Sequence, residues 1–128
     1  NLQIVICIGV AELFWRFLME LKIMQKTYDL ALYLYPALLH FPRSERHTSV
    51  AEIKRTLFNM MRLIVRANKA KKKKELLAEL DAELELLRTQ IRLVMELGFL
   101  PFKKYKIISG YLAEIGKMLG GWIKSCRY

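Results

Sequence analysis

The chain has 128 residues and a net charge of +10, from 22 Lys and Arg against 12 Asp and Glu. That length makes one domain able to bury a core without metal or disulfides. A balance this basic attracts polyanions, with RNA, DNA and anionic lipid all candidates.

The run Asn1–Ala11 is uncharged and mostly apolar, and it ends at the charged residues Glu12 and Arg16. It is too short to span a bilayer and has no basic stretch before it, as a secretory signal would. It reads as an extension of the first helix or an arm packed on a neighbour. Residues 1–18 are therefore set apart from a bundle covering 19–128.

The first helix is predicted from near Leu13 to about Leu39, with Pro36 bending its last turns by removing a hydrogen bond. Its apolar seam is read as Leu21, Met24, Tyr28, Ala31, Tyr35 and Leu38, in alternating steps of three and four. The turn His40–Arg46 breaks the pattern. Ser49 and Glu52 have the spacing of a capping box, so a second helix is predicted from Ser49 to about Asn68. Its seam is Val50, Ile53, Leu57, Met60, Ile64 and Ala67.

Lys69 to Lys74 form a polar connection, and a third helix comes next over about Lys74 to Leu97 along Leu77, Leu80, Leu84, Leu87, Ile91 and Val94. Gly98 and Pro101 mark its stop. The fourth helix is predicted from Phe102 to Ser125, with a seam of Ile108, Tyr111, Ile115, Met118 and Trp122. Short connections make successive helices antiparallel neighbours. The fold class is all-α, an up-down-up-down four-helix bundle.

Enzyme chemistry has little to work with. His40 and His47 sit in a turn without a ligand pair, short of the three or four converging groups a zinc site needs. Gly120–Gly121 lies inside an apolar helix rather than between strand and helix, so it is no phosphate loop. Glycine there costs about 1 kcal/mol of helix stability. Close approach by another helix or subunit would offset that cost, with Trp122 beside the pair. The carboxylate pairs Glu79/Glu83 and Asp81/Glu85 read as a solvated face. Cys7 and Cys126 read as reduced thiols of a cytoplasmic protein. No cofactor, metal or small-molecule substrate is implied, and Phe14, Trp15, Phe17, Tyr28, Tyr33, Tyr35, Phe41 and Phe58 read as core.

The basic residues are more informative. Six of the twelve acids fall within residues 75–97, which leaves 20 basic and 6 acidic residues elsewhere, a balance of +14. Arg55, Arg62, Arg66 and Lys69 share a stripe about 60° wide on the second helix, and Lys106, Lys117 and Lys124 one about 20° wide on the fourth. Arg88 and Arg92 are a like-charged i,i+4 pair, and Lys71, Lys72, Lys73 and Lys74 extend the basic run. A guanidinium fork matches phosphate, so these residues are the nucleic-acid-binding candidates. No helix-turn-helix, zinc-finger or RNA-stacking motif is present, so phosphate contacts would dominate and binding would weaken steeply with salt.

Several short motifs occur in a recognisable order: Tyr33-Leu34-Tyr35-Pro36, Phe41-Pro42-Arg43, Leu87-Arg88 with Ile91-Arg92, Glu96-Leu97-Gly98-Phe99-Leu100, Ala113-Glu114-Ile115-Gly116 and Met118-Leu119-Gly120-Gly121-Trp122-Ile123. In these the chain resembles the accessory variability determinant (Avd) proteins of diversity-generating retroelements, over about residues 21–125. It also resembles their wider four-helix-bundle relatives, the bacterial proteins encoded in ribosomal-RNA intervening sequences. The resemblance implies a homopentameric barrel of bundles. It implies a non-catalytic partner of the retroelement reverse transcriptase, acting with template RNA or an RNA/DNA hybrid in mutagenic cDNA synthesis. Arg88 and Arg92 stand where phage-type Avd proteins also carry arginines. The competing expectations are a protein–protein adaptor with no nucleic-acid role and a membrane-surface protein using residues 1–18.

Overall fold

The computed structural model describes the backbone of residues 2–126 and the side chains within it, except those of residues 2–8, 12, 15, 16 and 19. The expectations placed on Cys7 and Trp15 lie outside those described side chains, while Cys126 is a free thiol. The described residues form four α-helices: α1 Leu2–Leu38, α2 Ser49–Lys69, α3 Lys74–Glu96 and α4 Phe102–Ser125. A 3₁₀ turn at Arg43–Glu45 links the first two. Each helix packs on its neighbour in sequence, and α1 closes the ring against α4. That is the up-down-up-down bundle, with α2 and α4 on one diagonal.

Two seams form as their spacing requires. All six seam residues of α2 and all six of α3 are buried. On α4 the buried positions are Ile108, Leu112, Ile115, Leu119 and Trp122, while Tyr111 and Met118 are half-buried at the flank. On α1 the predicted register is off by part of a turn. The buried residues are Ile23, Thr27, Leu30, Leu34, Ala37 and Leu38, whereas Leu21 and Tyr28 are exposed. The reason is that α1 carries apolar residues well beyond one stripe, with the polar residues Lys22, Gln25, Lys26 and Asp29 on one narrow face, so spacing alone fits more than one seam. Thr27 sits in the core because its hydroxyl donates to the Ile23 carbonyl at 2.8 Å, which satisfies the polar group locally.

α1 is also much longer than its partners. Its 37 residues rise about 55 Å, against about 36 Å for the 24 of α4, so its first turns run past the bundle. Val10, Leu13, Phe14, Phe17, Leu21, Tyr28 and Leu32 are each more than half exposed. By helix geometry they share a sector about 100° wide, which gives α1 a second apolar face pointing outwards. Phe14, Phe17, Tyr28 and Phe58 are thus surface residues rather than core, and Phe41 is buried as expected. No helix among the described residues is long and apolar enough to cross a membrane.

The helix ends have local causes. α1 carries Pro36 in its last turn, and the N–H groups of Leu39, His40 and Phe41 then donate to the carbonyls of Pro36, Ala37 and Leu38. Gly98, at φ 86°, lets the Phe99 N–H reach the Val94 carbonyl and the Gly98 N–H the Met95 carbonyl, which closes α3 in a Schellman motif. The α2 start differs from the expected capping box. Ser49 is already helical, Glu52 turns to Arg55 at 3.6 Å, and the capping carboxylate is Glu45. Glu45 Oε2 accepts from the hydroxyls of Ser49 at 2.7 Å and Thr48 at 2.9 Å. The 3₁₀ turn folds this carboxylate back onto the positive end of α2.

These hydrogen bonds, Ser49 first and Thr48 second, hold Glu45 below the ordinary carboxylate value of 4.5. A depressed carboxylate stabilises the fold above its unfolded value and loses that effect as pH falls through its folded value. Glu45→Ala should therefore lower the thermal midpoint near pH 7, with the gap to the parent closing below about pH 4. Melting curves across that range test this. A gap that stays constant with pH would show that the carboxylate charge is not responsible.

Candidate nucleic-acid interface

The predicted α2 stripe forms as a surface feature. Arg55, Arg62, Arg66 and Lys69 are all exposed along one side of the helix. Arg55 pairs loosely with Glu52, and Arg62 Nη1 donates to Asn59 Oδ1 at 3.0 Å. Arg66 and Lys69 have no acidic partner among the described residues. Pairs as exposed as Arg55–Glu52 contribute little to stability and leave the guanidinium available to another anion.

The stripe runs into the α2–α3 connection, where Lys71, Lys72 and Lys74 are exposed. Lys73 turns inwards instead. Its ammonium donates to the carbonyls of Ala67, Asn68 and Ala70 and lies 3.8 Å from the Glu20 carboxylate. Lys73 thereby caps the negative end of α2 and ties the loop to α1. The contiguous basic surface is Arg62, Arg66, Lys69, Lys71, Lys72 and Lys74.

Arg88 and Arg92 lie elsewhere, on α3 beside α4. They line a groove of about 350 Å³ with Glu85, Thr89, Tyr105 and Ser109. Arg88 pairs with Glu85, and its Nη2 donates across to the Leu112 carbonyl at 3.3 Å. Arg92 Nε donates to Glu96 at 3.0 Å. Both cations are matched by a carboxylate one turn away, and Arg88 ties α3 to α4. A second tie joins α1 to α4, where Lys26 pairs with Glu114 and lies 5.3 Å from the Tyr111 ring centroid. The hydrogen bond to Glu114 pushes the Lys26 ammonium above its ordinary value.

Lys106, Lys117 and Lys124 are exposed on α4, with Lys106 5.6 Å from the Phe102 ring centroid. Because α4 is diagonal to α2, these lysines face away from the α2 stripe and form a separate basic edge. Trp122 is fully buried in the core. Gly120 is exposed, and a Cβ there would meet nothing among the described residues of the same chain. Gly121 is half-buried. The glycine in tight contact is Gly116, which sequence reasoning missed: a Cβ there would collide with Arg88 Nη2. The Gly116 spacing, with an arginine one helix away, carries no signal until α3 and α4 are docked.

The other omission is a cationic pocket at the α1–α2 turn, lined by Arg43, Arg46 and Lys54 over Leu38, Phe41 and Val50. A sequence signal was present, since residues three apart eclipse in a 3₁₀ turn. Among the described residues no group of His, Cys, Asp and Glu could hold a metal ion.

The described residues thus form a four-helix bundle that carries several basic surfaces. The bAvd-like family model matches residues 21–126, and the chain belongs to that family. No curated protein matches the chain.

The Arg88–Gly116 contact is open to a double-mutant cycle. Gly116→Ala alone should gain part of the helix propensity of alanine, about 1 kcal/mol, while pushing Arg88 off the Leu112 carbonyl. With Arg88→Ala in place the same substitution should stabilise by about that full amount, so that the two effects differ by roughly 0.5 kcal/mol or more. Denaturant unfolding measures both. Equal effects in the two backgrounds would show that the guanidinium does not rest on Gly116.

Proposed function

We propose that this protein is a non-catalytic accessory of a retroelement, binding template RNA, or an RNA/DNA hybrid, together with the reverse transcriptase. Family membership supports the accessory role. The observation that carries the RNA part is the unmatched basic surface of α2 and its following loop. Arg66, Lys69, Lys71, Lys72 and Lys74 are exposed with no acidic partner among the described residues, on a chain of net charge +10. Arg55 and Arg62 extend that surface along the helix. Arg88 and Arg92, each already matched, contribute less. The two roles act through positioning: phosphate contacts fix where the RNA lies, and apolar contacts fix where the transcriptase lies.

The outward apolar face of α1 supports assembly. A contiguous apolar strip of this length exceeds what monomers usually leave in water, and it suits a second copy or the transcriptase. In this reading the protein is a homo-oligomer, a pentamer, in the cytoplasm. Gly120 and Gly121, on the surface of α4, allow close approach by a neighbouring subunit. The same apolar face is what favours the second reading, a protein–protein adaptor with no nucleic-acid role.

Binding of the purified protein to a structured RNA, titrated from about 50 to 200 mM salt, separates the two readings. Six or more phosphate contacts imply a loss of roughly a thousandfold over that range. Arg62→Glu with Arg66→Glu should weaken binding at every salt concentration and flatten the salt slope by about one per residue. Both substitutions are on the surface and should leave the melting temperature in place. Absence of binding at the lowest salt would leave the adaptor.

A further inference from the structure

The α1–α2 turn holds a pocket of about 430 Å³ that is separate from the basic surface of α2 and its following loop. That size falls within the roughly 300–1,000 Å³ typical of ligand sites. Its floor is core: Leu38, Phe41 and Val50 are buried, and the Phe41 ring is backed by Phe99 with centroids 5.8 Å apart. Its rim combines the exposed side chains of Leu39 and Pro42 with three cations, Arg43, Arg46 and Lys54. Leu39 is 82% exposed, and a leucine so placed has nothing to cover within the fold.

The cations gather there for a local reason. Pro42 starts the 3₁₀ turn, in which residues three apart eclipse, so Arg43 and Arg46 project on the same side. Glu45 projects about 120° away from them, where the hydroxyls of Thr48 and Ser49 engage it. Lys54 approaches from the first turns of α2, with its ammonium 4.7 Å from the Tyr35 ring centroid. Among the described residues no carboxylate pairs with Arg43, Arg46 or Lys54. The α3–α4 groove is of similar size, yet Glu85 lines it and Glu96 holds Arg92.

We propose that this turn pocket seats one nucleotide of a single RNA strand, with the phosphate on Arg43, Arg46 and Lys54 and the base against Leu39 and Pro42. The inference rests on the reading of α2 as an RNA face and names a specific site at the far end of that helix. Two guanidinium forks and an ammonium match a phosphate that already has its full charge. An apolar floor beside them suits a base, and only an unstacked base in a loop or single strand can be laid into a pocket. A strand held along Arg66, Arg62 and Arg55 leads towards this turn, which lies at the N-terminal end of the same helix. Specificity would stay low, because the pocket offers the base an apolar surface and no array of groups to read base edges.

The test uses two probes, a fluorescein-labelled single-stranded RNA hexamer and a structured hairpin RNA, against the full chain and two charge-reversed pairs. Arg43→Glu with Arg46→Glu should weaken hexamer binding about tenfold, as expected for two lost phosphate contacts. It should also abolish the hexamer-induced NMR shifts of the Phe41 and Val50 amides and leave the melting temperature unchanged, while hairpin binding persists. Three results would overturn the pocket while leaving the α2 face intact: equal hexamer affinity for this variant and the parent, a hairpin that binds when the hexamer does not, or hexamer shifts confined to residues 62–74 and lost with Arg62→Glu/Arg66→Glu. Shifts at Phe41 and Val50 produced by an acidic peptide and by neither RNA would make it a peptide site, contrary to the proposal. A parent protein that binds neither RNA at low salt would remove the broader reading and the pocket with it.

Discussion

Each helix of a four-helix bundle can turn only one stripe towards the core, and the other properties of this protein stem from that limit. α2 and α3 bury all their seam positions and leave only scattered apolar residues outside them, among them Phe58, Val65, Leu86 and Leu93. α1 carries more apolar surface than one stripe can hide. Its inner face, from Ile23 to Leu38, completes the core, and its outer face from Val10 to Leu32 remains in water. Covering apolar area is favourable at roughly 25 cal/mol per Å², and the proposed assembly draws on that face. The same limit sends the charge to the surface, where its arrangement rather than its total decides what it can bind.

That arrangement divides the cations into two kinds. Some hold the bundle together: Lys73 closes the end of α2, Arg88 crosses to α4 over Gly116, and Lys26 joins α1 to Glu114. Others face solvent without an acid beside them, along the second half of α2, through the following loop, at the turn before α2, and on the separate α4 edge of Lys106, Lys117 and Lys124. Exposed matched pairs such as Arg92–Glu96 cancel much of each other's distant field, whereas unmatched groups add to it. The acids are gathered on α3, so the field is uneven over the surface. On the proposed reading, a polyanion engages α2 and its two ends, where unmatched arginines and lysines are gathered, rather than the molecule as a whole.

Much of the fold was legible because hydrophobic spacing on α2 and α3 has one solution. Polar and charged residues dominate the positions that the seam leaves, with Phe58, Val65, Leu86 and Leu93 as apolar exceptions, so register and boundaries emerge together; α4 begins at Phe102, immediately after the Pro101 that marks the stop. α1 was not legible in the same way. With apolar residues around most of the helix, the series Leu21, Met24, Tyr28 and the series Ile23, Thr27, Leu30 both satisfy helical spacing. Only docking against α2 and α4 selects the second. The α2 cap was misplaced because Ser49–Glu52 has the right spacing for a box, while the carboxylate that acts arrives from the 3₁₀ turn. At the site, outward exposure of Arg55, Arg62, Arg66 and Lys69 came directly from the wheel. The inward turn of Lys73 did not, because a run of four lysines is uniform in sequence and becomes unequal only beside free carbonyls. Gly116 and the turn pocket depend on contacts between elements, which no single stretch of sequence encodes.

The central claim is that polyanion binding is localised on α2 and its ends. Photocrosslinking with 4-thiouridine-labelled structured RNA, combined with peptide mass spectrometry, reads that localisation directly. Crosslinks should fall between residues 39 and 74, concentrated on the outward side of α2 and the following loop, and should be sparse on the acidic first half of α3. Crosslinks centred on Glu75–Glu85, or spread evenly over all four helices, would contradict a localised basic interface.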